Sequence, residues 1–413
     1  MHRLALSCAA LVFLGSNIWA GDPPEIPNQN ATRIKVVDNH NSYNDVWGYV
    51  APDGREYALL GVRSGLAFVN ASDPLFAYET AFSTDGFNCT WRDMKTYGQY
   101  VYEGNDCRPG VRVFDMADPD NPVEVNWFGT SDFNNSHNIQ IDVERGTLWA
   151  VGTGSGAYIY DLTVDPVDPP LIAIWNGFSS PESGSYEHDD VSGGSGYVHD
   201  IYVKDGMAHA ARIYAGQYTI ADATNLPAIN TLASVPTGQN FAHSTWTNED
   251  ETIAVVCDEK PGAQHSRFYD ISDPTDPILL SAFSEEPISV PHNPFIKGNY
   301  CHYSWYTEGY ICVDISDPSR PQRVARYDTS PNVPSGGVTG FQGVWGVYPF
   351  QPSGFIYVSD RGRGLFIIKN NVECAPLPGN APMLCDVWPG GAHVALRSPK
   401  ERLIVTGNGL MNT

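Results

Sequence analysis

The chain has 413 residues, with 24 Lys+Arg against 47 Asp+Glu and a formal net charge of −23. So acidic a surface repels phosphate backbones and excludes nucleic-acid binding. Hydrophobic residues at 42%, with 39 Gly and 31 Pro, describe a turn-rich globular chain with a real core and exclude a disordered one.

Residues 1–20, MHRLALSCAALVFLGSNIWA, start basic, run apolar from Leu4 to Leu14 and end on the small Ala20, so they read as a removed export signal. Cys8 lies inside the apolar run instead of closing it, which argues against a lipid anchor. No later stretch has the length of a membrane span. A secreted, extracellular or periplasmic protein with no membrane span in the mature chain is expected. Next comes ATRIKVVDN, 31–39, which is strand-like and precedes everything that repeats.

From there the chain rewrites one phrase. Strands ending in an Asp-Pro turn read GLAFVNASDP at 65, GVRVFDMADP at 110, GAYIYDLTVDP at 156, SRFYDISDP at 266 and GYICVDISDP at 309, with QYTIADATNLP at 217 a worn copy. Their apolar residues alternate as in a strand, and Asp-Pro sets the following turn because Pro fixes φ and Asp accepts a nearby backbone N–H. A second strand stands ahead of each, and a first strand ahead of that. The first strands start at Asn44, Arg92, His137, His199, His243, His292 and Gln342. The longest interval, between His137 and His199, holds the insert GFSSPESGSYEHDDVSGGSG, 177–196. Seven such repeats predict an all-β fold, a seven-bladed β-propeller over residues 21–371. The last repeat stops after three strands, so the segment at 31–39 is expected to supply the fourth and close the ring. Residues 372–413 are expected to form a C-terminal extension.

Seven cysteines follow residue 20. Their positions suggest bridges Cys89–Cys107, Cys301–Cys312 across a hairpin, and Cys374–Cys385 in the extension, with Cys257 left over; other connectivities remain open.

The Asp-Pro strands resemble LVIVD repeats. In addition NDVWGY, WRDMK, SHNIQID, YVHDIYV, FAHSTWTNEDE, VCDEK, HNPFIKGNYCHYSWYTEGYICVDISDP and GVWGVYPFQPSGFIYVSDRGRGLFII, in that order over residues 33–370, resemble the exported choice-of-anchor B family. The resemblance implies a surface or secreted propeller, in a group named for its differing C-terminal sorting signals, and it implies no settled activity. The final GNGLMNT follows no apolar tail, so release is expected in place of anchoring.

First strands of a propeller line its central channel, so His137, His199, His243 and His292 should converge on the axis. Converging imidazoles suit zinc or copper; one zinc, copper or calcium ion is the candidate cofactor. The alternative is that each histidine hydrogen-bonds a neighbouring blade, with Asn138, Asp200, Ser244 and Asn293 as partners. His209 and His302 stand ten residues after His199 and His292 on the second strands, as packing groups or supports for the ligands. Asp258 and Glu259 are candidate oxygen ligands or a general base near His243, or simply part of a polar loop. Arg63, Arg108, Arg212, Arg361 and Arg363 all fall between second and third strands, so a rim of guanidinium groups for carboxylate or sulfate is expected, unless loop acids pair with them. No HExxH, EF-hand, phosphate-loop or nucleophile-elbow motif occurs. Two functions fit: a non-catalytic exported propeller binding an anionic glycan, a carboxylate ligand or a surface protein on its loop face, or a metal-dependent lyase or hydrolase of an anionic polymer centred on the histidines.

Overall fold

A computed structural model describes residues 28–154, 156–176, 197–286, 288–336 and 341–372. The expected export signal, the 177–196 insert, the expected Cys374–Cys385 bridge and the rest of residues 373–413 lie outside the described residues.

The strands form seven four-stranded antiparallel sheets. Their innermost strands are Tyr43–Val50, Arg92–Tyr97, Asn138–Asp142, Asp200–Lys204, Ala242–Thr247, Pro294–Lys297 and Val344–Tyr348, which begin blades one to seven. In blade seven the outermost strand is Ala31–Val37, paired antiparallel with Gly364–Asn370 in the register Ala31↔Asn370 to Val37↔Leu365. The ring therefore closes with the start of the chain, as expected. Asn28–Asn30 extend the closure sideways: Gln29 exchanges backbone hydrogen bonds with Arg326 of blade six at 2.9 and 2.8 Å, and the Asn28 side chain accepts from Asp328 N.

Apolar side chains fill the wedges between blades. Leu59, Leu66 and Phe68 of blade one pack on Met94, Val101 and Phe114 of blade two, all buried. Tyr43, Leu60 and Ala67 do the same against Tyr357 and Leu365 of blade seven. Each fully buried Leu or Phe contributes about 2 kcal/mol, so the wedge pattern is what fixes blade on blade. The Asp-Pro turns hold as read, through two carboxylates in most blades and through Asn70 and Asp73 in blade one. Asp314 accepts from Ser316 N at 2.8 Å and Asp317 from Ser319 N at 3.1 Å, and Asp270 and Asp273 repeat the arrangement in blade five. Between third and fourth strands a bulge recurs at one place, Phe68/Val69, Val113/Phe114, Ile159/Tyr160, Ile220/Ala221, Phe268/Tyr269 and Cys312/Val313. Such bulges increase local twist, here at the rim of the blades.

Beside the apolar wedge of blades one and two a charged network is buried as well. Arg92 bonds Asp85 and Glu103, and Arg112 reaches the other oxygen of Glu103 at 2.7 Å, with the side chains of Arg92, Arg112 and Glu103 fully buried. Arg92 thus works in the wall and not in the channel. Beside it Cys89 and Cys107 form a disulfide with Cα atoms 5.7 Å apart. The expected Cys301–Cys312 bridge is corrected: both thiols are free and buried, as is Cys257. The hairpin register sets Cys301 opposite Val313 and Cys312 opposite His302. That one-residue offset turns the two sulfurs to opposite faces of the sheet, Cys301 toward blade five beside Cys257 and Cys312 toward blade seven. Among the described residues no helix is long and apolar enough to cross a membrane.

Candidate metal centre

The start of each inner strand does deliver its side chain to the axis. Rings follow one another around the channel: His137 to His199 at 4.2 Å between centroids, His199 to His243 at 4.5 Å, His243 to His292 at 4.5 Å and His292 to Trp345 at 4.5 Å. Trp91 completes the circuit, 6.4 Å from His137 and 6.3 Å from Trp345. Blades two to seven each supply one ring, and blade one supplies Asn44, whose side-chain amide donates to Thr90 O. Backbone packing sets these positions. Gly152, at φ +68°, leaves room for His137, since a Cβ there would lie 2.2 Å from that of His137.

The polar residues that follow the histidines do tie blade to blade, but through carbonyls. Ser244 Oγ donates to His292 O at 2.6 Å and Asn138 Nδ2 to His199 O at 3.4 Å. Two imidazoles also bond a neighbouring blade, His292 to blade seven and His137 to blade two, each through Nδ1. His292 Nδ1 donates to Trp345 O at 2.6 Å, which leaves its Nε2 a lone pair. His137 Nδ1 lies 2.8 Å from Asp106 Oδ2, and His199 Nδ1 3.2 Å from Tyr197 OH. His199 Nε2 and His243 Nδ1 are buried with no hydrogen-bond partner. A carboxylate or carbonyl on one nitrogen with a lone pair on the other is the arrangement by which proteins orient imidazole ligands.

Donor nitrogens of His137, His199 and His243 lie within 4.8 Å of one another, and so do the donor atoms of His243, Glu259 and His292. Zinc bonds imidazole nitrogen at about 2.0–2.1 Å, so small side-chain rotations close either set on one ion. Burial holds His199, His243 and His292 well below the ordinary imidazole pKa, helped by repulsion among the rings. They are neutral and ready to ligate. Burial also opposes charge on His137, but Asp106 outweighs it and raises its pKa. Glu259, whose carboxylate accepts from Tyr306 OH and sits 3.4 Å from His243 Nε2, is pushed up to about 7 by burial, against the pull of Tyr306, His137 and Arg361.

The remaining expected residues go elsewhere. Asp258, beside Glu259, turns the opposite way and clamps the loop between blades four and five, accepting from Thr237 Oγ1 at 2.5 Å, Gln239 N at 2.6 Å and Phe241 N at 3.1 Å. His209 and His302 perform matched packing, each bonding the tyrosine across its hairpin, Tyr218 at 2.7 Å and Tyr310 at 2.8 Å. Of the five arginines Arg361 comes to the ring, stacked 5.0 Å over Trp345 with Nη1 on Phe341 O. Arg63 is exposed at the mouth. Arg108 is stacked 3.9 Å over Trp127, Arg212 is buried on Gln217, and Arg363 is bound to Thr329 O. Loop carbonyls and aromatic faces claim these three, so no five-membered rim assembles. Trp91, Asp106, Tyr306 and Trp345 complete the site and were missed. The disulfide anchors the first two, because Cys89 stands two residues before Trp91 and Cys107 directly follows Asp106.

Residues 292–329, which begin at the ring histidine of blade six and run through its four strands, match the LVIVD repeat. A comparison with curated proteins finds no match for the chain. The chain is a seven-bladed β-propeller that carries an LVIVD repeat in its sixth blade.

Proposed function

We propose that the protein is an exported propeller, of the choice-of-anchor B kind its motifs resemble, that binds one zinc or copper ion in its histidine ring and offers it to a carboxylate-bearing ligand at the loop face. The observation that carries this reading is that four imidazoles, three of them held neutral, meet in two overlapping donor sets, His137–His199–His243 and His243–Glu259–His292. Arg361 beside the ring, and the exposed Arg63 at the mouth, favour an anionic ligand such as an acidic glycan or a dicarboxylate. A secreted location accords with the Cys89–Cys107 bridge.

A metal-dependent hydrolase or lyase is the second reading, and Glu259 is what favours it. A carboxyl with a pKa of about 7, held by Tyr306 within reach of the donor set, is suited to taking and returning a proton at neutral pH.

Elemental analysis of protein purified without chelator and reloaded with zinc or copper tests the first reading. About one ion per chain is expected, lost progressively below about pH 6 as protons compete for the imidazoles. His199→Ala, which removes a ring nitrogen that has no hydrogen bond, should fold and lose most of the metal. A wild-type chain that takes up no stoichiometric ion under any loading would end the proposal. Glu259→Gln separates the two readings: it should leave an ion held by His137, His199 and His243 in place, and should abolish turnover of an acidic polymer only if the protein is an enzyme.

A further inference from the structure

One residue further along the inner strands the channel changes chemistry. The positions there are Asp45, Asn138, Asp200, Ser244, Asn293 and Gly346, and in blade two, two residues past Trp91, Asp93. Six are oxygen donors where the layer above holds imidazoles and indoles. Gly346 is the exception because the Asp45 carboxylate lies where its Cβ would be, 2.2 Å from that point. Asp45, Asp93, Asp200, Thr245 and Asn293, with Lys95, are among the residues that line a small, partly open cavity of about 20 Å³. That volume holds a single ion or a water and nothing larger.

Charge within the cavity does not balance. Lys95 Nζ is 2.6 Å from Asp93 Oδ1 and lies 4.3 Å over the Trp47 ring, while Asp93 Oδ2 accepts from Ile139 N. Asp45 and Asp200 each spend one oxygen on the next backbone amide, Val46 N and Ile201 N, both at 2.8 Å. Three carboxylates, Asp45, Asp93 and Asp200, thus share the one ammonium of Lys95 in the lining. Asn293 Oδ1 and Thr245 Oγ1 are buried without a hydrogen-bond partner, in residues only 8% and 3% exposed. An excess of carboxylates and two orphaned neutral oxygens around one ion-sized space form an unfinished shell, since buried polar atoms are otherwise nearly always bonded.

We infer that this cavity is a second cation site, selective for a hard divalent ion, with calcium the fitting one. Asp45 and Asp200 supply its charge, and Asn293 Oδ1 and Thr245 Oγ1 its neutral ligands. Donor type separates it from the ring above: carboxylate, carboxamide and hydroxyl oxygens take calcium or magnesium, whereas imidazoles take zinc or copper. Ligands drawn from four blades fit the irregular shell of calcium better than the strict octahedron of magnesium.

Titration calorimetry and thermal melts on the full chain, stripped with chelator and measured at about 0.15 M salt to suppress loose surface binding, decide the matter. Calcium alone should bind once per chain and raise Tm, and magnesium should do so more weakly. Asp45→Asn/Asp200→Asn, isosteric and relieved of like-charge repulsion, should be at least as stable without calcium and should lose the calcium response. Thr245→Val/Asn293→Ala gives an independent check and should weaken calcium by roughly tenfold or more. His199→Ala should leave calcium binding unchanged, which keeps this site distinguishable from the ring above. A wild-type chain whose Tm and heat are indifferent to millimolar calcium overturns the site. So does either double variant binding calcium as the wild type does.

Discussion

A single buried side chain sets part of the acid tolerance of this fold. His265 is fully buried against Trp305 at 5.6 Å, and neither ring nitrogen has a hydrogen-bond partner. Burial pulls its pKa down to about 4. Above pH 7 it is neutral whether folded or not and costs nothing. As pH falls below 6.5 the unfolded chain takes the proton while the folded chain refuses it until about 4, so stability drains away across that window. The loss is about 2 kcal/mol after allowing for screening by nearby solvent. His265→Leu should therefore flatten the stability curve between pH 6.5 and 4, followed by denaturant melts at stepped pH; an unchanged slope would assign that acid limb to other groups. Residue-level reading of the sequence succeeded where repeats could be aligned, at His137, His199, His243 and His292. It failed one step away. Trp91 precedes the aligned Arg92 and Trp345 follows the aligned Gln342 by three, so inspecting only the aligned column hid both indoles and the carboxylate layer beneath. Asp258 and Glu259 looked like a pair, and the turn that ends their strand sends them in opposite directions.

Among the elements, Ala31–Val37 has the largest leverage. It pairs with Gly364–Asn370 along its whole length, and Ile34 and Val36 pack on the apolar wedges of blade seven. Deleting residues 21–40 removes that ladder and bares an edge strand. The cost is on the order of 5 kcal/mol from lost apolar burial and hydrogen bonds, expected as a fall in Tm of the entire ring and a tendency to self-associate. An unaltered melting temperature would refute N-terminal closure. This element was legible because the seventh repeat visibly lacked a strand and only one strand-like segment stood outside the repeats. Hairpin register was not legible. Whether two cysteines face each other depends on a single residue of slip, and the spacing of Cys301 and Cys312 alone does not state it.

At the scale of the molecule, seven wedges in a closed circle make every blade lean on two others. The four ring histidines sit on four consecutive blades, three to six, and an ion held by His137, His199 and His243 would tie three of those blades together at the centre. Zinc at a hundred times its dissociation constant should then stabilise the ring by about 2.7 kcal/mol, seen as one sharper transition moved upward instead of a separate step; a shift confined to part of the melt would mean that the blades act independently. The same architecture gives the offset of Cys301 and Cys312 a meaning beyond packing. A hairpin zipped one residue out of step would bring these sulfurs face to face, and an oxidising compartment would weld the error in place. A hairpin zipped correctly hides both sulfurs on opposite sides of a sheet. The thiols thus serve as a spelling check on the sixth blade, silent when the strands are aligned and open to redox proofreading when they are not.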